Sequence, residues 1–245
     1  MGDGRKVMPE EDDAVVPDRD KHIRLQSAMR TFDEIAEDFD RTRYKPWPEC
    51  VEFGGTIPED SLVLDIGCGN GRNCIFLAEK HRVVGLDISH AMAGIARKNL
   101  AGKGFGEECE FIQSDAANLP FMDSTFDSVL YIATLHHLHT EEQRLKSLEE
   151  VRRVMKGNAR ALISVWAFDQ PRFQKVLEEH LEKGKDFGDV HVEWKRPDGT
   201  VFNRFYHLFC GDELKELAER AGLKVNKHFK ASDNYFAVVE KNTKD

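Results

Sequence analysis

Five apolar runs of strand length, SLVLDI (61–66), RVVGLD (82–87), CEFIQS (109–114), FDSVLYI (126–132) and ARALISVWAF (159–168), alternate with segments of helical periodicity. The intervening stripes are Cys74-Leu77-Ala78, then Met92-Ile95-Ala96-Leu100, then Leu145-Leu148-Val151-Met155. Thr140 and Gln143 predict a capping box for the third helix, with Gly157 just past its end. Continuously apolar strands are those buried on both faces, and strands separated by helices pair in parallel through right-handed crossovers. The expected class is therefore α/β, a doubly wound and mostly parallel sheet. A helix over 212–220, stopped at Gly222, is followed by LKVNKHFKA and YFAVVEK around Ser232-Asp233-Asn234, which predicts a terminal antiparallel hairpin and seven strands in all.

The flanks are organised differently. Phe32, Ile35, Ala36 and Phe39 recur at helical spacing, and the pattern stops before Pro46 and Pro48, so a short amphipathic helix leads into RTRYKPWP (41–48). Residues 1–20 carry seven acids against three cations, net −4 of the chain's −9, with no periodicity. Such a segment is expected to be disordered, so we divide the chain into an acidic tail (1–22) and one domain (23–245). Within the domain, residues 169–209 form an insertion on the substrate side, of which 169–200 read as a helix plus loops, because Pro171, Gly184, Gly188 and Pro197-Asp198-Gly199 mark turns, and NRFYHLF (203–209) reads as strand-like.

Several classes are disfavoured. No apolar run approaches the ~20 residues of a membrane span, and no signal core opens the chain. Lys6 stands where a myristoylated Met-Gly terminus would carry Ser or Thr, and the expectation is a cytoplasmic protein with no membrane association. The five cysteines, at 50, 68, 74, 109 and 210, never form C-x-x-C, so neither a disulfide framework nor a metal site is expected. A net charge of −9 argues against gripping nucleic acid with the whole surface and leaves any such contact to local basic patches.

LDIGCGNGR (64–72) lies where the first strand hands over to the first helix. Glycines at 67, 69 and 71 let backbone turn tightly against a ligand. A dinucleotide fingerprint would need its third glycine at 72, where Arg72 stands. The pattern resembles instead the first motif of class I S-adenosylmethionine-dependent methyltransferases, with their Rossmann-like fold. On that resemblance Asp65, Gly67, Gly69, Asn70 and Gly71 form the cofactor loop. Asp87, 20 residues beyond Gly67, and Ile88 end the second strand with a carboxylate for the ribose hydroxyls, and Asp115 with Ala116 meets adenine.

The acceptor is read from the remaining segments. RTRYKPWP, IATLHHLHT (132–140), VWAFDQ (165–170) and NRFYHLF (203–209) together resemble the tRNA wobble-uridine methyltransferases that esterify 5-carboxymethyluridine, over residues 30–241. Better-known eukaryotic members carry a long polar insertion between the equivalents of VWAFDQ and RFYHLF, where this chain has some thirty residues. The resemblance implies an anticodon-loop tRNA substrate and a small zinc-binding activator protein as heterodimer partner. A splayed loop base needs aromatic faces and its phosphates need cations. Tyr44 and Trp47 supply the first and Arg41, Arg43 and Lys45 the second, on a segment stiffened by its prolines.

A carboxylate acceptor with a pKa near ~4 is already ionised at neutral pH, so the reaction needs positioning rather than a general base. Arg43, Tyr44, His136, His137, Arg204 and Tyr206 are the candidates for the reacting centre. Strand alternation puts Arg204 and Tyr206 on one face and Asn203 and His207 on the other, with His207 assigned to the wider substrate surface. A methyltransferase acting on a quinone or lipid precursor, and a non-catalytic scaffold that only binds the cofactor, share the same glycine loop and stay open at this point. An NAD-dependent oxidoreductase is disfavoured by Arg72.

Overall fold

Val63 and Leu64, neighbours in the first strand and both fully buried, place their side chains in different cores. That division is what a strand packed on both faces requires. The computed structural model describes residues 18–173 and 188–242. In chain order the elements are α1 (Asp18–Thr42), α2 (Pro48–Gly54), β1 (Leu62–Ile66), α3 (Arg72–Leu77), β2 (Arg82–Asp87), α4 (His90–Lys103), β3 (Cys109–Gln113) and β4 (Phe126–Ile132). They continue with α5 (Glu141–Val154), β5 (Met155–Trp166), β6 (Asp189–Lys195), β7 (Val201–His207), α6 (Glu213–Arg220), β8 (Leu223–Ala231) and β9 (Asn234–Lys241).

The main sheet has seven strands in the order β3-β2-β1-β4-β5-β9-β8. The first five pair in parallel, and β9 runs antiparallel between β5 and β8. One face packs Leu64, Ile66, Val129, Tyr131 and Ile163 against Leu148 and Val151 of α5 and Leu214 and Leu217 of α6. The other packs Val63, Leu130, Leu162 and Phe236 against α2, α3 and α4 through Phe53, Leu77 and Leu100. The strand order reverses between β1 and β4, and such a switch point opens a crevice at the carboxyl ends of the strands. Cys50, Cys68, Cys74 and Cys109 are buried free thiols.

Three expectations change. The short helix around Phe32–Phe39 is a helix of 25 residues starting at Asp18, inside the stretch assigned to the acidic tail; residues 1–17 of that tail lie outside the described residues. Met155, read onto the stripe of α5, is instead extended at ψ 137° and opens β5, and Gly157 lies within that strand rather than stopping the helix. Pairing of Met155 with Phe126 supplies the backbone partners that another helical turn would have supplied. The insertion contributes a two-stranded antiparallel sheet, β6 with β7, where a helix plus loops is expected over 169–200; the strand-like reading of NRFYHLF agrees with β7, and residues 174–187 lie outside the described residues. Its inward face, Val192, Trp194 and Phe202, gains its burial only by packing on α1 and on the Trp166 region, a long-range partner that local periodicity does not reveal.

Candidate active site

A cavity of about 580 Å³ opens at the carboxyl ends of the parallel strands. Its floor is the loop between β1 and α3. The Gly67 and Cys68 amides both donate to the Leu86 carbonyl, at 2.7 and 3.0 Å, which folds the loop back over β2. Gly67 adopts φ 69°, and a Cβ there would sit 2.0 Å from Thr134 Oγ1, so neither the turn nor the packing admits a side chain. Gly71, at φ 78°, is pressed on α4, where a Cβ would meet Leu100 at 2.8 Å.

Asp87 is the hub of the floor. Oδ2 accepts from the Gly69 amide and Oδ1 from the Ser89 amide, each at 2.9 Å. Each oxygen keeps capacity for one more donor. Burial pushes the carboxyl up to about 6 despite those two amides. Asp115 accepts from the Ala117 amide and from Asn118 Nδ2, both at 2.9 Å, and Asp87, Ile88, Asp115, Ala116 and Met92 line one lobe together. Asp65 lies below the cavity rather than in its wall; it is 1% exposed, accepts from Cys74 Sγ at 3.4 Å, and burial pushes it to about 7.

α1 roofs this lobe, a role no motif announced. Asp33 accepts from Ser89 Oγ at 2.6 Å and from the Ala91 amide at 3.0 Å, and so caps α4 from outside. Asp40 accepts from Asn70 Nδ2 at 2.8 Å and Asn99 Nδ2 at 2.9 Å. Asn70 Nδ2 also donates to the Arg43 carbonyl, so the Asn70 amide group ties the glycine loop to the chain after α1. Arg24, Leu25, Phe32 and Phe39 of α1 line the cavity.

The second lobe holds Arg43, His136, His137, Trp166, Trp194, Arg204 and Tyr206. Arg204 donates to the Tyr206 hydroxyl at 2.7 Å, and Tyr206 stacks on Trp166 with ring centroids 4.0 Å apart. The Trp166 amide donates to His136 Nδ1 at 3.0 Å, which leaves a neutral His136 with its proton on Nε2. His137 Nδ1 faces the Phe205 carbonyl at 2.9 Å, and a carbonyl only accepts, so this nitrogen carries the proton. Burial lowers His137 to about 3.

Other expected residues stand elsewhere. Tyr44, placed at the reacting centre from sequence, is 68% exposed and outside the cavity, because the chain after α1 carries it outward. Arg41 pairs with Asp38, and Lys45 lies over the Tyr44 ring at 5.8 Å; neither lines the cavity. Trp47 reaches the cavity, yet packs edge-on to Phe236 at 5.9 Å beneath the Arg72 guanidinium. His207 is withdrawn from the substrate surface: it is clamped between Asp189 at 2.7 Å and Glu213 at 2.6 Å, on the opposite face of β7 from Arg204. The two carboxylates raise its pKa although burial opposes them.

Residues 63–158 match the methyltransferase-domain family. Over 232 residues the chain is 32% identical to the tRNA (carboxymethyluridine(34)-5-O)-methyltransferase of Schizosaccharomyces pombe, covering 87% of this chain and 95% of that one. This chain belongs to that methyltransferase family. The enzyme of the same name from Arabidopsis thaliana is 39% identical over 186 residues, 69% of this chain and 42% of its own length. Solved structures that share the fold include a methyltransferase from Methanosarcina mazei, at 22% identity and TM-score 0.67 over 80% of this chain and 98% of that one. Another is the 1,6-didemethyltoxoflavin-N1-methyltransferase of Burkholderia thailandensis, at 20% identity and TM-score 0.66 over 96% and 100%.

The methyltransferase's first lobe fits S-adenosylmethionine. Asp87 retains acceptor capacity for two donors, the number a ribose diol offers. Asn70 lines the cavity with its Oδ1 buried and without a partner among the described residues, an acceptor suited to an ammonium group. Among the described residues of the methyltransferase, no group of three His, Cys, Asp or Glu side chains is placed to hold a metal.

Proposed function

We propose that the chain methylates the carboxymethyl group of a modified wobble uridine, U34, in tRNA, forming the methyl ester, with S-adenosylmethionine as methyl donor. The observation that carries this reading is the composition of the second lobe: the Arg43 and Arg204 guanidiniums and a neutral His136 share one cavity with the donor floor. Bound S-adenosylmethionine supplies an electrophilic methyl group. Arg43 and Arg204 hold the acceptor carboxylate by charge-assisted hydrogen bonds and fix which oxygen faces the donor. His136, its proton on Nε2, acts as a neutral donor toward the same oxygens. His137 does not take part as a base, because its pKa of about 3 leaves it a poor proton acceptor at neutral pH and the ionised carboxylate needs none. Tyr206 steadies Arg204, and the stacked Trp166 excludes water behind them.

Arg41, Tyr44 and Lys45, on the surface beside the mouth, receive bases and phosphates of the anticodon loop, with Trp47 at the rim. The enzyme works in the cytoplasm as a heterodimer with a small zinc-binding activator protein. No described helix is long and apolar enough to cross a membrane.

The test is transfer to tRNA carrying 5-carboxymethyluridine, with nucleosides read by mass spectrometry. The methyl ester should appear only with donor present. Absence of ester, with methylation of a quinone or lipid precursor instead, would replace this reading.

A further inference from the structure

The β6–β7 hairpin places in the cavity a residue that no motif singled out. Trp194 is half-buried and lines the wall, and two guanidinium carbons lie over its ring, Arg204 at 4.9 Å and Arg43 at 5.7 Å. The arginines come from different elements, Arg43 from the chain after α1 and Arg204 from β7. Trp194 pairs with Phe202 in the hairpin, so Arg204, two residues on, is its diagonal neighbour on the same face. Two guanidiniums brought to one wall repel each other. The negative face of an indole offsets part of that repulsion, and an anion bound between them offsets more.

The position of Trp194 is itself set by the roof. Its ring lies 6.1 Å from that of Phe39 and joins the cluster of Ile35, Ala36 and Met92. Arg196, at the hairpin turn, pairs with Asp38 of α1 at 3.3 Å. Among the described residues the Arg43 guanidinium hydrogen-bonds only the Thr42 carbonyl, at 3.3 Å, so the indole is what relates it to Arg204.

We propose that Trp194 is a positioning residue that assembles Arg43 and Arg204 into one anion site, and that this site makes the enzyme select an ionised carboxylate over the isosteric neutral amide. The inference rests on the proposed function, since it names how that acceptor is recognised. A carboxylate offers lone pairs to both guanidiniums. The amide turns an N–H pair toward groups that can only donate, and carries no charge to offset theirs.

The experiment measures affinity of the full-length protein, saturated with S-adenosylhomocysteine, for two anticodon stem-loop RNAs that differ only in carrying 5-carboxymethyluridine or 5-carbamoylmethyluridine. Wild type should prefer the acid by on the order of 100-fold. Trp194→Ala should cut that preference about tenfold or more while affinities for the amide RNA and for S-adenosylhomocysteine stay within a factor of about two, and Trp194→Phe should retain most of it. A purely structural role would lower both RNA affinities in parallel, and an unchanged ratio in Trp194→Ala overturns the proposal. If the wild type neither methylates nor prefers the acid RNA, the acceptor reading falls and this inference with it. If the wild type does both but Trp194→Ala keeps the ratio, only the inference falls.

Discussion

The Gly69 amide donates to the Asp87 carboxylate at 2.9 Å, so the acid that ends β2 is held by the glycine loop that follows β1. The glycine loop and the acid at the end of β2 are thereby one unit. Burial raises Asp87 to about 6, and the acceptor role proposed for it toward ribose hydroxyls requires the ionised form. Donor affinity should therefore be constant above pH ~7 and fall as pH drops through the folded value. Asp87→Asn should lower donor affinity by roughly 10- to 100-fold at pH 7.5 and remove the pH dependence. Calorimetric titration with S-adenosylmethionine at pH 5.5 and 7.5 measures both.

Asp65 makes a stability prediction of the opposite pH direction. Its folded pKa of about 7 lies above the unfolded value of ~3.9, so the native state binds a proton that the unfolded state has already released. The associated stabilisation is fully present below pH ~4 and is lost as pH rises through about 7. Asp65→Asn abolishes that titration. In urea melts the variant should gain on wild type between pH 5 and pH 8, and an identical difference at both pH values would refute the assignment.

The histidines predict a flat profile. His137 is already neutral across the working range because burial lowers it to about 3, and His136 is fixed as an Nε2–H donor by the Trp166 amide. With saturating donor, single-turnover transfer should not change between pH 6.5 and 8.5. His136→Ala should slow transfer by roughly 10- to 100-fold at every pH in that range. A rise through the histidine range that vanishes in His136→Ala would establish a general base instead.

Trp47 and Tyr44, three residues apart, should behave oppositely. Trp47 packs on Phe236 and under Arg72, so Trp47→Ala should destabilise the fold by ~2–4 kcal/mol in chemical denaturation. Tyr44 is 68% exposed, and Tyr44→Ala should change stability by less than ~0.5 kcal/mol while raising KM for tRNA.

Much of this was legible in particular residues. The strands SLVLDI and FDSVLYI stand out because both faces are buried, and the capping box at Thr140 and Gln143 forms as spaced. The pair Arg204 and Tyr206 separates from His207 by strand alternation alone. Tyr44 misled because the local composition of RTRYKPWP is the same whether a ring turns inward or outward. The start of α1 is not legible because DRDKHIRLQSAM has few apolar residues, and the helix docks on α4 only further along, through Asp33, Ile35 and Ala36.

By itself the sequence determined the doubly wound sheet and the tight glycine turn after β1, since both rest on signals of short range: the period of apolar residues, and glycines at backbone angles that Cβ atoms disfavour. Only the tertiary structure decided that α1 roofs the donor lobe, that Asp33 caps a helix 56 residues away, and that Trp194 gathers two arginines onto one wall. Such contacts join segments remote in the chain, and which of many exposed acids or aromatics becomes a partner is settled when the packed cores bring the segments together.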